Sequence, residues 1–343
     1  FSISYNFLMK NKVNIIIPSI TISEELITCL KGISLLNYKN FIVTIVIDYD
    51  NKKKIPKFNF KLKKLIVGKI FMSRKRNLAV KKFNSEYIAF IDSDCYPCKN
   101  WLNKAIKYLN NKKIHVVGGP NIPFKKQSYS EKITSLCKRS IFISGHLTYR
   151  KYKSTRRYCK DYLESCNLIM KRSIFLDCKG MDEKVYIAED TVLFENLKIK
   201  IKNFKALFSP DVFVYHKQRN ILKFLLQRLS FGTVLFSLIN LKDGLKGFIP
   251  AIPILSFFIL LLFLSSNLLL NTKLFFLMLV VLVINIIIFY EINKFIKKFK
   301  EKIYTLLIIN VANMMHIIGG LITFLGLRKI FDRKIYVLSR FNK

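Results

Sequence analysis

"YIAFIDSDCYPCKNW" (residues 87–101) decides the fold. Its first five residues are an unbroken apolar run, which reads as a strand buried on both faces. The run stops at Asp92-Ser93-Asp94, and a C-x-x-C of Cys95 and Cys98 follows. Two chemistries therefore compete for one strand end, paired carboxylates and paired thiols. The rest of the chain has to choose between them.

The same strand pattern recurs. "VNIIIP" (13–18) is a short β-branched run closed by Pro18, "FIVTIVID" (41–48) ends in Asp48, and "IHVVGGP" (114–120) runs into a glycine turn. Helical segments lie between them. Residues 24–36 place Leu26, Cys29, Leu30, Ile33 and Leu36 at helical spacing, and 73–83 and 101–111 also read as helices. Strands alternating with helices imply an α/β fold with a doubly wound, mostly parallel, Rossmann-like sheet. Ligands of such sheets bind beyond the carboxyl ends of the strands. Asp48, Asp92 and Asp94 all fall there.

The thiol reading is the weaker one. A redox C-x-x-C wants its first cysteine at a helix N-terminus, and zinc wants four ligands. Cys159 and Cys166 are not a second C-x-x-C, and His115 stands alone in the sequence. Cys95 and Cys98 are expected to be small apolar side chains in a loop. The carboxylate reading is stronger, because Asp-x-Asp follows a buried run and Asp48 ends a neighbouring strand. Oxygen ligands at an open sheet edge suit a hard divalent cation such as Mg²⁺ or Mn²⁺, with positions left for phosphate oxygens.

The composition adds a second region. The 343 residues are 51% hydrophobic, an excess concentrated beyond Phe248. Gly247–Leu270, Lys273–Ile292 and Ile303–Leu327 are each apolar over about 20 residues, enough to cross a ~30 Å hydrocarbon core. The basic loop "NKFIKKFKEK" (293–302) is expected on the cytoplasmic side, which places the N-terminal domain inside. The tail from 328 is also basic. Three full spans would put it outside, so either the third segment is re-entrant at Gly319–Gly320 or the tail breaks the rule. Residues 219–246 read as amphipathic interfacial helices, with a globular helix packed on the sheet as the alternative. The expected order is a cytoplasmic domain over 9–218, interfacial helices over 219–246, transmembrane helices over 247–327 and a basic tail over 328–343.

Net charge is +38, from 59 Lys+Arg against 21 Asp+Glu. The excess suits anionic lipid or phosphorylated substrate, or reflects the Lys-, Ile- and Asn-rich composition alone. The positive charge is scattered, without a recognition helix or zinc-finger spacing, so specific nucleic-acid readout is not expected. Seven cysteines and the lack of a cleavable signal peptide point to reduced thiols in a cytoplasmic domain. "MKNKVNIIIP" from Met9 reads as a natural start.

At this point the chain resembles the family 2 glycosyltransferases, whose fold is GT-A. The likeness covers about residues 13–235. It rests on Pro18, Leu26 and Cys29–Leu30; on Asp48; on Arg76–Asn77, Ser85, "EYIAFIDSD", Pro97 and Trp101; and on Asn167, Lys171–Arg172, Gly180–Met181–Asp182–Glu183, Glu189–Asp190 and His216, in that order. Ile20–Thr21, Tyr49 and Lys75 depart from the family pattern. The resemblance implies a nucleotide-sugar donor, UDP- or GDP-linked, bound by Pro18, Asp48, Arg76, Asn77, Asp92 and Asp94. It implies Asp94 as the main metal ligand, with Asp92 and His216 beside it. His216 has a purely structural alternative. Asp190 is implied as the base, with Glu189 next to it, and the alternative for both is a pair of acids at a helix N-terminus. Asn167, Gln227 and Arg228 are lesser candidates for acceptor or diphosphate contacts. Gln227–Arg228 lacks the full Q-x-x-R-W of processive synthases. The expected reaction is therefore one inverting sugar transfer per encounter, to a lipid-linked or membrane-proximal saccharide in the cell envelope, at the plasma membrane. Polyprenyl-phosphate glycosyl transfer and processive synthesis remain as enzyme alternatives. A basic membrane protein that binds anionic lipid or nucleic acid is the non-enzyme alternative.

Overall fold

A computed structural model describes residues 12–152, 155–159, 162–185, 187–233 and 270–325. The chain divides into two compact units, Phe1–Phe124 with Tyr149–Lys217, and Lys125–Thr148 with Gln218–Lys343.

The first unit is built on an eight-stranded sheet ordered β3-β2-β1-β4-β9-β6-β10-β8. Its strands are β1 Val13–Pro18, β2 Phe41–Ile47, β3 Lys61–Ile66, β4 Tyr87–Ile91, β6 Val116–Gly118, β8 Arg157–Cys159, β9 Asn167–Lys171 and β10 Ala206–Phe208. β1 is buried along its whole length, which is why its sequence is continuously apolar rather than alternating. The one polar residue inside it, Asn14, accepts a 2.7 Å hydrogen bond from Thr44 on β2. Both β2 and β4 pair with β1 in parallel, so Ser19, Asp48 and Asp92 emerge at one edge.

Helices α1 Glu24–Ser34, α2 Met72–Lys82 and α3 Trp101–Leu109 fill the intervals between strands as the periodicity predicts. α1 begins at Ser23, whose hydroxyl accepts from Leu26 N–H. Its apolar face, Leu26, Ile27, Cys29, Leu30 and Ile33, is buried in the main core with Trp101 and Leu102 of α3. Short helices α5 Arg172–Asp177 and α6 Glu189–Lys200 complete the unit.

Two features differ from the sequence reading. Lys61–Lys64 belongs to a strand, β3, which pairs in parallel with β2. As the outermost strand it can carry lysines, and charge on an edge strand blocks further pairing. The parallel order is also interrupted, because β9 runs antiparallel between β4 and β6. A smaller sheet of β5 Cys95–Pro97, β11 Val214–His216 and β7 Asn121–Pro123 stands beside the main one, with β11 in the middle.

In the second unit α4 Tyr129–Arg139 opens with a capping box made by Ser128 and Glu131. It packs with α7 Ile221–Thr233, α8 Leu270–Asn293 and α9 Phe299–Phe324 around Ile133, Phe224, Ile292 and Ile309. α7 covers the first half of the segment expected to be interfacial. α8 is apolar around its whole circumference, with Met278 72% exposed. Two helices, Phe275–Asn293 and Phe299–Phe324, are long and apolar enough to cross a membrane. Asn310 Nδ2 on α9 donates to Asn285 Oδ1 on α8 at 2.8 Å, a polar tie between two apolar helices. Gly319–Gly320 does not turn the chain back, since α9 continues through it. Gly319 serves a helix crossing instead, because a Cβ there would lie 2.1 Å from the Leu229 carbonyl oxygen of α7. The first expected span, Gly247–Leu270, and the basic tail lie outside the described residues, except for Leu270 itself.

Candidate active site

The site grows from the edge where β1, β2 and β4 end. Asp48 directly follows β2, and its partner comes from α2. Lys75 Nζ stands 2.5 Å from Asp48 Oδ1 and donates to the Ser19 carbonyl oxygen at 2.5 Å. Lys75 is fully buried, so its ammonium depends on these two oxygens. Pro18 is the last residue of β1 and is paired with Val46.

Arg76, the next residue of α2, reaches across the edge. Its Nη2 donates to Asp92 Oδ1 at 2.7 Å and its Nη1 to Glu189 Oε1 at 3.0 Å. Its side chain is 2% exposed. Burial alone would lower the Arg76 pKa. Asp92, Glu189 and Asp190 together outweigh that and raise it, so the guanidinium stays charged. One buried cation thereby ties the end of β4 to the start of α6.

Asn77 and Asn167 do different work. Asn77 donates to the Met181 carbonyl oxygen at 2.8 Å and to Glu183 Oε1 at 3.1 Å, and its own Oδ1 accepts from Met181 N–H. This fastens the turn at Gly180, whose φ of +77° only glycine adopts without strain. Asn167 is buried at the start of β9. It donates to the Gly119 and Val212 carbonyl oxygens and accepts from Trp101 Nε1 at 2.8 Å. Both amides are engaged by the fold itself, so these residues position loops.

Asp94 is carried beside His216 by the small sheet. β5 and β11 pair antiparallel with Cys95 opposite His216, and Lys217 N–H donates to the Asp94 carbonyl oxygen at 3.0 Å. His216 Nε2 then lies 3.4 Å from Asp94 Oδ1. Asp92 and Asp94 keep side-chain exposures of 35% and 39%. Asp94 and His216 thus offer an oxygen and an imidazole nitrogen side by side, donors that a divalent cation accepts.

Glu189 and Asp190 open α6. The residue before them, Ala188, is left-handed at φ 63°, a conformation that an alanine adopts only when its surroundings hold it there. Asp190 Oδ2 accepts from Ser165 N–H at 3.3 Å and Oδ1 from its neighbour Thr191 N–H at 2.9 Å. Burial, then the charges of Glu189 and Glu164, push Asp190 up to about 7. Burial would raise Glu164 as well, but Lys151, 2.5 Å away, and Arg150 hold it at about 2. Arg150 is itself buried and stacks over the Tyr162 ring at 4.1 Å.

Lys75, Arg150, Lys151 and Glu164 were not among the residues singled out in the sequence. Lys75 left one trace, as a departure from the family pattern beside Arg76. Arg150 and Lys151 end a short 3-10 helix and Glu164 lies in a loop, with no spacing to mark them. Gln227 and Arg228 lie on α7 in the second unit, where Arg228 Nη1 donates to the Ile143 carbonyl oxygen at 3.3 Å.

Comparison with known proteins follows this geometry. No curated protein matches the chain. Among solved structures, the mannosyltransferase PcManGT from Pyrobaculum calidifontis, in complex with GDP-Man and Mn²⁺, aligns over 91% of this chain and 87% of its own at 13% identity, with a TM-score of 0.57. That likeness is one of fold. S. aureus TarS residues 1–349 align at 15% identity and a TM-score of 0.45, over 67% of this chain and 66% of theirs. The same protein in complex with UDP-GlcNAc aligns at 18% identity over 61% and 59%, again at 0.45. The chain thus spans slightly less than two thirds of the TarS chains it matches. The model of the family described as Glycosyltransferase like family 2 matches residues 45–236, more than half of the sequence, and the chain belongs to that family.

Proposed function

We propose that the protein transfers one sugar from a nucleotide-diphosphate donor to a hydroxyl of a lipid-linked or membrane-proximal saccharide, with inversion at the anomeric carbon. The observation that carries this reading is Arg76, a buried cation holding Asp92 and Glu189 together at the carboxyl edge of the sheet. It gathers the acids of the donor side and the acids of α6 into one cluster.

In this reading Asp48, held by Lys75, faces the base, and Asp92 faces the ribose. Asp94, Asp92 and His216 would hold Mg²⁺ or Mn²⁺, which when bound supplies positive charge to the departing diphosphate. Glu189 is fastened by Arg76, so it orients rather than accepts a proton. Asp190 is the proton acceptor for the sugar hydroxyl. Its raised pKa places it near neutrality, where a base is both deprotonated and strong enough to act.

The apolar helices α8 and α9 support a multi-pass membrane protein, and the basic loop between them supports a cytoplasmic catalytic domain. Anchoring raises the local concentration of a membrane acceptor. A cell-envelope polysaccharide or glycolipid is the product class this arrangement serves.

The test is a donor screen by nucleotide release, using membranes that contain the full chain. UDP- and GDP-sugars are offered with Mn²⁺, with Mg²⁺ and with chelator. Metal-dependent release from one donor is expected. Donor binding and release unchanged by chelator overturn the metal assignment, and no release from any donor overturns the reading.

A further inference from the structure

The strongest unused feature is a thiol pair that the sequence kept apart. Cys95 and Cys166 are both buried, and their sulfurs lie with a ring nitrogen of His216 inside a sphere where no two atoms are more than 4.8 Å apart. Their convergence follows from the sheets. The β5–β11 register sets Cys95 across from His216. The β4–β9 register pairs Ile91 with Asn167, so one step further brings Cys166 beside Asp92. Asp94 flanks the group, with Oδ1 3.9 Å from Cys95 Sγ and 3.4 Å from His216 Nε2.

Ligand atoms gathered within 4.8 Å of one another are close to one kind of coordination. Zinc bonds of ~2.3 Å to sulfur and ~2.0 Å to nitrogen or oxygen put neighbouring ligands of a tetrahedron roughly 3.3–3.8 Å apart. A hard cation has no use for two sulfurs, whereas a borderline-soft one binds them strongly. The geometry points to a second cation site, in which Cys95, Cys166 and His216 hold zinc and the fourth tetrahedral position stays open to water. As the ion enters, two Zn–S bonds form and the two thiol protons leave to solvent. The zinc site borrows His216 from the proposed hard-cation shell, so the two ions exclude each other. Zinc is then an inhibitor of transfer, a consequence that rests on the functional reading above. The site itself does not.

Cobalt(II) reports on such a shell directly. Untagged full-length protein in detergent, without nucleotide sugar, is titrated with Co²⁺. A thiolate-to-cobalt charge-transfer band and the intense visible bands of tetrahedral cobalt are expected, and equimolar Zn²⁺ should abolish both. Cys166→Ser should lose the charge-transfer intensity by half or more, while Cys98→Ser keeps it, because Cys98 instead faces the Asp211 carbonyl oxygen. Failure to see a thiolate band overturns the site, as does a band undiminished in Cys166→Ser. Should that variant not fold, X-ray absorption at the zinc edge of the unaltered chain decides, with two sulfur ligands expected and a shell of nitrogen and oxygen alone overturning the site. If the spectra appear but no nucleotide sugar is turned over, the zinc site stands and the transferase reading falls. If transfer is metal-dependent but zinc at the concentration that saturates the spectrum leaves it unchanged, the exclusion is wrong.

Discussion

Asp48 at the β2 end of the site and Asp190 at its α6 end are treated differently by the fold. Asp48 is met by a buried cation, Lys75, at 2.5 Å. Asp190 has the carboxylates Glu189 and Glu164 near it, whose charges outweigh the opposing charge of Arg150, while Arg76 is engaged by Glu189 and Lys151 by Glu164. One aspartate is locked in an ion pair, and the other is kept ready to take a proton. The chemical difference lies in the neighbours and not in the residue type.

The largest expected effect tests the Asp190 end. Asp190→Asn should lower kcat by about 10²–10⁴-fold, the usual worth of a positioned base, while the donor dissociation constant stays within a few-fold. Equilibrium donor binding and single-turnover rates check this, and lost donor binding would break the division of labour. In the unaltered enzyme kcat/KM should rise tenfold per pH unit below about 7 and level off above it. The stability consequence has the opposite sign. A carboxyl whose pKa is raised on folding favours the folded state most when protonated in both states. Its contribution therefore declines as pH rises from the usual aspartate range through about 7.

Arg76 is the bridge between the two ends. Arg76→Met leaves Asp92 and Glu189 without their shared cation. It should cost about 3 kcal/mol, at the low end for a broken buried pair because Asp92 is 35% exposed. Denaturant unfolding measures this, and a loss below ~1 kcal/mol would show that the carboxylates do not depend on Arg76.

The smallest effect sharpens the Asp48 end. Lys75→Met should destabilise by about 2–3 kcal/mol, and adding Asp48→Asn should restore much of that loss, because both charges then leave together. Thermal melts of the two single variants and the double variant give the coupling. Additive losses would show that the 2.5 Å pair carries no mutual energy.

Much of the fold was legible because burial leaves a periodic trace. β1, β2 and β4 are continuously apolar since helices cover both faces of the sheet, and α1 and α3 show their core faces at helical spacing. β3 was hidden, because an edge strand has no need of apolar residues on both sides. The residues of β9 entered only through the Asn167 motif and were not read as a strand, and its reversal between parallel neighbours leaves no mark on composition. In the site, Asp48, Asp92 and Asp94 were legible because they follow apolar runs, whereas Asp190 was reached only through the family resemblance. Arg150, Lys151 and Glu164 follow none and meet only when the chain folds.

Sequence alone determined the sheet-and-helix alternation, the acids at the strand ends and the apolar character of the final segments. These are local properties, set by side-chain periodicity and by where a buried run must stop. Tertiary structure alone decided which aspartate received a cation and which received other acids. It also decided that Cys95 meets Cys166 rather than Cys98. Charge and metal chemistry depend on distance in space. Pairing β5 with β11 and β4 with β9 brings to within a few ångströms groups that the chain keeps more than 70 residues apart.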